Sequence, residues 1–255
     1  MADAFVFSSG LAAAVGGSLS LAASLALGAP QIAVWVFLAA SGTFLIYTLD
    51  RLRDRARDRS TSPIRTAFVS RHRQGLIGAA FAVAIGFTAV LFTAPSSIIQ
   101  LCLTVGLIGA FHRRLKNHPA IKTIYVSLSW VAICVGIPWL ASGHTPNSNL
   151  GVWVASVFLP ILTANLIASN LRDDESLRLS GGHLAVLWTA RGFAAMAIGI
   201  AFAAPDELFA LVWIPACEAL ALIFFRRSER YRHVAIDGAL LIGALATSIQ
   251  LASTA

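Results

Sequence analysis

Ile32–Arg59 reads IAVWVFLAASGTFLIYTLDRLRDRARDR. No charge interrupts the run before Asp50, and then five arginines and three aspartates crowd into ten residues. A span of roughly 20 apolar residues is what a helix needs to cross the ~30 Å hydrocarbon core of a bilayer. A basic cluster directly behind it marks the end that stays inside the cell. No helix breaker separates the two parts, so the helix is expected to continue past Asp50 into the cytoplasm.

The same alternation organises the rest of the chain. Eighteen of the nineteen Lys and Arg residues fall in Arg51–Arg73, Arg113–Lys122, Arg172–Arg178 and Arg226–Arg232; the exception is Arg191. Nine apolar runs can be drawn around these stretches: Phe7–Gly28, Ile32–Leu49, Gly75–Ala94, Ser97–Phe111, Ile121–Ala141, Leu150–Asn170, His183–Ala204, Glu207–Phe225 and Ala235–Ala252. Connections without Lys or Arg (Gly28–Gln31, Pro95–Ser96, Ser142–Asn149, Pro205–Asp206) alternate with the basic ones. The expectation is an all-α polytopic membrane protein, one transmembrane domain over residues 1–255 with nine spans. Its cytoplasmic loops fall at about 50–74, 112–122, 171–182 and 226–234, with the N-terminus inside and the C-terminus outside.

Composition agrees. Hydrophobic residues are 57% and charged residues 12% of the 255, and mean hydropathy is +0.76, whereas a soluble domain is about a quarter charged. The net charge of +7 sits in loops, where it opposes anionic lipid headgroups or anionic substrates rather than nucleic acid. Cys102, Cys134 and Cys217 each stand alone in an apolar run and read as small hydrophobes. No His falls in an H-E-x-x-H spacing and no phosphate-binding glycine loop is present. The first run lacks a positive n-region and reads as a retained span, not a leader. Ala12-Ala13-Ala14-Val15-Gly16-Gly17 supplies small residues for close helix approach. Pro138, Pro160 and Pro215 fall inside runs, where they are expected to kink helices.

Two acidic clusters point to chemistry. Asp50, Asp54 and Asp58 recur every four residues, which puts them on one helical face. Carboxylates one turn apart suit Mg²⁺, which takes one or two of them together with phosphate oxygens and water. Flanking arginines equally allow a salt-bridged surface helix. The second cluster is Asn165-Leu-Ile-Ala-Ser-Asn170-Leu-Arg172-Asp173-Asp174-Glu175. Its two amides lie in an apolar helix, where polar groups need partners.

Acidic motifs after the second and sixth of nine runs resemble those of the UbiA superfamily of intramembrane prenyltransferases. Asp50 and Asp54 match the aspartate pair of the first motif, with Ile46 where an asparagine is expected. Asp173 matches the second motif, with Leu177 in the place of its second aspartate. The loop Phe111–Pro119 is similar to the family's basic loop, with His112 where a tyrosine is usual. The resemblance implies a bundle around a central cavity in a cell membrane. There a prenyl group would pass from its diphosphate to a hydrophobic or aromatic acceptor, with Mg²⁺ as cofactor.

On that basis Asp50, Asp54, Asp173 and Asp174 are expected as metal ligands and catalytic residues. Arg113, Lys116 and Arg172 are expected to bind diphosphate, and Tyr47, Asn165, Asn170 and Arg191 to line the cavity. Tyr125, like Tyr47, is a further aromatic candidate for stabilising positive charge. Arg191 and Glu218 lie at similar depth in the seventh and eighth runs and are expected to pair, the alternative being Arg191 aimed at the diphosphate or acceptor. Asp237 reads as a partner of Arg230 or Arg232. Two other classes stand beside the enzyme: an inactive lipid-binding or scaffold relative, and a small-solute transporter. No internal repeat supports the latter.

Overall fold

The computed structural model describes residues 2–54, 62–111, 118–143, 149–171, 181–226, 228 and 231–254, without the side chains of 2–4, 232 and 233. Every regular element among them is helical. We label them α1 Ala2–Phe7, α2 Gly10–Ala26, α3 Ile32–Arg53, α4 Pro63–Arg71, α5 Arg73–Leu91 and α6 Ser96–Ala110. After these come α7 Pro119–Ala141, α8 Asn149–Asn170, α9 Gly182–Ala203, α10 Trp213–Ile223 and α11 Asp237–Thr254.

Each expected run falls on helix, but not every run makes a full span. Six helical segments are long and apolar enough to cross a membrane: α3, α5, α7, α8, α9 and Val234–Thr254. The chain is an integral membrane protein. The first and fourth runs form the shorter apolar helices α2 and α6. The eighth is broken: Asp206–Val212 winds as a 3-10 helix before α10 begins. Pro215 stands in the first turn of α10, directly after the 3-10 segment. Pro138 follows a π-helical turn, Ala132–Gly136, inside α7. Only Pro160 interrupts a continuous α-helix.

Helix α2 packs on α3 and α11; α11 packs on α10, α10 on α9, α9 on α8 and α8 on α7. The π turn of α7 returns to α2 and closes the ring. Small residues make this possible. A Cβ on Gly16 would meet Thr43 Oγ1 at 2.6 Å, so α2 and α3 touch at van der Waals distance there. Gly243 of α11 lies against the start of α10, where a Cβ would stand 2.7 Å from both Ile214 Cα and Trp213 O. The core runs through Leu19, Phe158, Ile161, Leu211 and Ile214, all essentially inaccessible. Large apolar side chains face outward instead, among them Phe81, Phe92, Leu103 and Ile249. Such a surface belongs in lipid.

Helix α3 differs from expectation at its end. It stops at Arg53, and Asp54 is its C-cap, with φ −98° and ψ 14°. Asp58 lies outside the described residues. The face turned inward near this end carries Tyr47, Thr48, Arg51 and Asp54, while Ile46, Leu49 and Arg53 are exposed. Asp50 is half-buried at the edge between the two faces.

Candidate functional site: a polar hollow inside the bundle

Helices α2, α3, α7, α8 and α11 line a narrow hollow with room for little more than a water molecule. Ala12 and Val15 line it from α2, Tyr47 from α3, Trp130 from α7, Leu162, Asn165 and Leu166 from α8, and Asp237 and Leu240 from α11. Most of this wall is apolar or aromatic. The Tyr47 and Trp130 rings meet edge to face at 6.1 Å and 84°, a favoured aromatic geometry. Both ring-bearing helices are anchored nearby. Thr163 Oγ1 donates to Ser127 Oγ at 3.1 Å between α8 and α7, and Arg51 Nη1 donates to Phe7 O at 3.0 Å between α3 and α1.

Two of the lining residues, Asp237 and Trp130, lie beside π turns. Asp237 is the first α-helical residue after the π turn Arg232–Ile236, and Trp130 lies two residues before the π turn of α7. Wide turns of this kind recur at functional sites because they re-aim the side chains beside them. Asn165 is buried, and its Nδ2 donates to Glu218 Oε1 at 3.3 Å. Glu218 of α10 is wholly inaccessible, and its Oε2 has no hydrogen-bond partner among the described residues. Asp237 lies near enough to act on it electrostatically. A buried polar atom left unbonded costs about 1–3 kcal/mol, more if charged, so Glu218 works against stability where it stands.

The expected site residues separate into three groups. Tyr47 and Asn165 line the hollow. Asp50 and Asp54 stand one turn apart at the end of α3, with Asp54 buried and Asp50 half-buried. Asn170 does not line the hollow; it is buried at the end of α8, where its Oδ1 accepts from Lys122 Nζ at 3.1 Å. Arg113, Lys116, Arg172, Asp173 and Asp174 lie outside the described residues, and so do the side chains proposed to pair with Asp237.

Arg191 is a correction. It does not pair with Glu218, nor does it line the hollow. Its Nε and Nη2 donate to Leu222 O at 3.2 and 3.0 Å, and Nη2 also donates to Ile223 O at 3.2 Å. The guanidinium lies over the Trp188 ring at 4.9 Å. The last carbonyls of a helix lack intrahelical donors and carry its negative dipole end. Because α10 ends at Ile223, the carbonyls of Leu222 and Ile223 are left for the Arg191 guanidinium to bond. Glu218 meets Asn165 instead.

Oxygen donors one turn apart, as Asp50 and Asp54 are, fit a hard cation such as Mg²⁺ in type. No group of three or more His, Cys, Asp or Glu residues gathers among the described residues.

A solved structure of a UbiA homologue from Archaeoglobus fulgidus, bound to GPP and Mg²⁺, matches this chain with a TM-score of 0.64 at 14% identity. The match covers 98% of this chain and 99% of the other. The fold is UbiA-like. No protein-family model matches the chain, and no curated protein matches it in sequence. The shared architecture is therefore carried by helix order and packing, which tolerate wide substitution among apolar residues.

Proposed function

We propose that this protein is a Mg²⁺-dependent prenyltransferase that moves a prenyl group from its diphosphate to an acceptor at the cytoplasmic side of the membrane. One observation carries the reading: the fold is shared end to end with a UbiA homologue solved with GPP and Mg²⁺, and here it encloses a hollow beside the acidic end of α3.

Asp50 and Asp54, with Asp173 and Asp174, would hold the metal. When bound, Mg²⁺ supplies charge neutralisation for the departing diphosphate. Arg113, Lys116 and Arg172 pair with the same anion directly. Lys122, already held by Asn170, adds a fixed cation between α7 and α8. The apolar wall of the hollow excludes water from an allylic cation. Tyr47 and Trp130 present aromatic rings, whose faces attract positive charge.

The test is direct. Purified protein with geranyl diphosphate and Mg²⁺ should release pyrophosphate and, given an acceptor, form a prenylated product. Chelation by EDTA should abolish both. A well-folded protein that neither binds nor cleaves any prenyl diphosphate at millimolar Mg²⁺ would end this reading.

A second reading, a UbiA-like protein that binds lipid or diphosphate without transfer, is favoured by Ile46. That side chain occupies the place of an expected motif asparagine and is 43% exposed on the outer face of α3. Binding without turnover would be its signature.

A further inference from the structure

We propose that the turn joining α4 to α5 binds the headgroup of an anionic phospholipid, whose acyl chains lie along the outer face of α5. The site does not line the hollow and does not depend on the transferase reading.

The sequence at the turn is Ser70-Arg71-His72-Arg73-Gln74-Gly75, six consecutive residues that are all exposed. They line an open cleft of about 460 Å³. The bend falls at His72, whose φ of −107° and ψ of 21° separate α4 from α5. Packing decides which residues of the turn face outward. Val69 and Leu76 are buried, and the Phe68 ring meets Phe7 of α1 at 6.2 Å and His72 at 4.5 Å. Arg71 and Arg73 are left outside, and neither has an ion pair or side-chain hydrogen bond among the described residues. Arg71 suits the last turn of α4. Arg73 opens α5, the helix end at which a cation is disfavoured, and no acidic residue in that turn offsets it. Helix stability therefore does not account for the pair.

The surroundings define the anion that would. Helix α5 is one of the segments able to cross the membrane, and only its Leu76 and Ala80 are buried. Ile77, Phe81 and Ile85, each four residues from the next, make an exposed apolar stripe that begins just past the cationic turn. Beside it, Gly75 and Gly78 have nothing within 4 Å of an added Cβ, so a hydrocarbon chain can approach the helix backbone. A ligand fitting both parts carries a phosphate at one end and acyl chains at the other. Arginine forks pair with phosphate oxygens, and basic clusters beside a membrane helix attract anionic lipid. A zwitterionic lipid brings its own cation to the same place and loses most of that attraction.

The full chain in detergent is titrated with phosphatidylglycerol or phosphatidylcholine of matched acyl chains, and bound lipid is counted by native mass spectrometry. Phosphatidylglycerol should bind its first site more tightly by about fivefold or more; a smaller ratio would overturn the proposal. Arg71→Gln/Arg73→Gln should at least halve the ratio. Arg226→Gln/Arg227→Gln removes the same charge from another basic stretch and should not. Equal ratios in the two double variants would assign the attraction to net charge and sink the site. Mg²⁺-dependent binding of geranyl diphosphate should be the same in wild type and Arg71→Gln/Arg73→Gln. Its loss in that variant, if folded, would give the arginines to the diphosphate instead. A photoactivatable phosphatidylglycerol tests the unaltered protein: crosslinks should concentrate between Arg73 and Ile85, and their absence there would also refute the assignment.

Discussion

Asp54 sits where a helix end, a buried surface and the acidic motif coincide. It caps α3 and is only 8% exposed, whereas Asp50 is half-buried one turn earlier. If both contribute to a metal site, Asp50→Asn and Asp54→Asn should each weaken Mg²⁺-dependent pyrophosphate binding by tenfold or more, as read by calorimetry. Unfolding temperature separates the two: Asp54→Asn should also lower it, because its burial ties it to the packing of the α3 end. Arg191 makes the opposite prediction. Arg191→Met removes a helix C-terminal interaction and a stacked cation, together about 1–2 kcal/mol. Thermal unfolding should register that loss, while pyrophosphate binding stays within twofold of wild type. A large drop in binding with unchanged stability would return Arg191 to the site. At this scale the sequence singled out Asn165, since an amide in an apolar run must find a partner. It gave no hint that the partner is Glu218 or that Asp237 faces inward. The aim of Asp237 is set by a π turn, which leaves no pattern in composition or spacing.

The helices owe their closeness to a few glycines, and these can be ranked by what stands opposite. Opposite Gly243 is backbone, Ile214 Cα and Trp213 O, which cannot swing away. Gly243→Ala should therefore destabilise by about 1–3 kcal/mol through overpacking. Gly78 on α5 faces open space, with nothing within 4 Å of an added Cβ. Gly78→Ala should be neutral or stabilising by up to about 1 kcal/mol, from helix propensity alone. Thermal unfolding of the two variants in one detergent checks the contrast, and equal effects would mean that α10 and α11 do not meet as described. Hydropathy located each of these helices because twenty apolar residues leave little else to form in lipid. It did not foresee that the run Glu207–Phe225 opens with a 3-10 helix, or that α3 ends at Arg53. Both ends depend on what packs beside them, and α10 is shortened where Arg191 meets its carbonyls.

For the molecule as a whole, the distribution of Lys and Arg predicts a single orientation. Nine crossings, with α2, α6 and the broken eighth segment inserted alongside the six long helical segments, would place the basic stretches inside and the C-terminus outside. Single cysteines introduced into Arg51–Arg73 and Arg226–Arg232, in a background lacking Cys102, Cys134 and Cys217, should react with an impermeant maleimide only in inverted vesicles. One placed after Thr254 should react only from the outside; labelling of all three from the same side would remove one crossing. What the residues alone determined is the membrane, the place of the apolar helices and the two acidic motifs, because hydrocarbon admits only apolar side chains on self-bonded backbone and charges collect where water begins. Tertiary structure alone decided that Tyr47, Trp130, Asn165 and Asp237 share one hollow, that Glu218 stands behind it, and that Arg191 does not. Those groups lie on six helices far apart in the chain, and their meeting is set by helix rotation and approach, which residue order states only through contacts it cannot show.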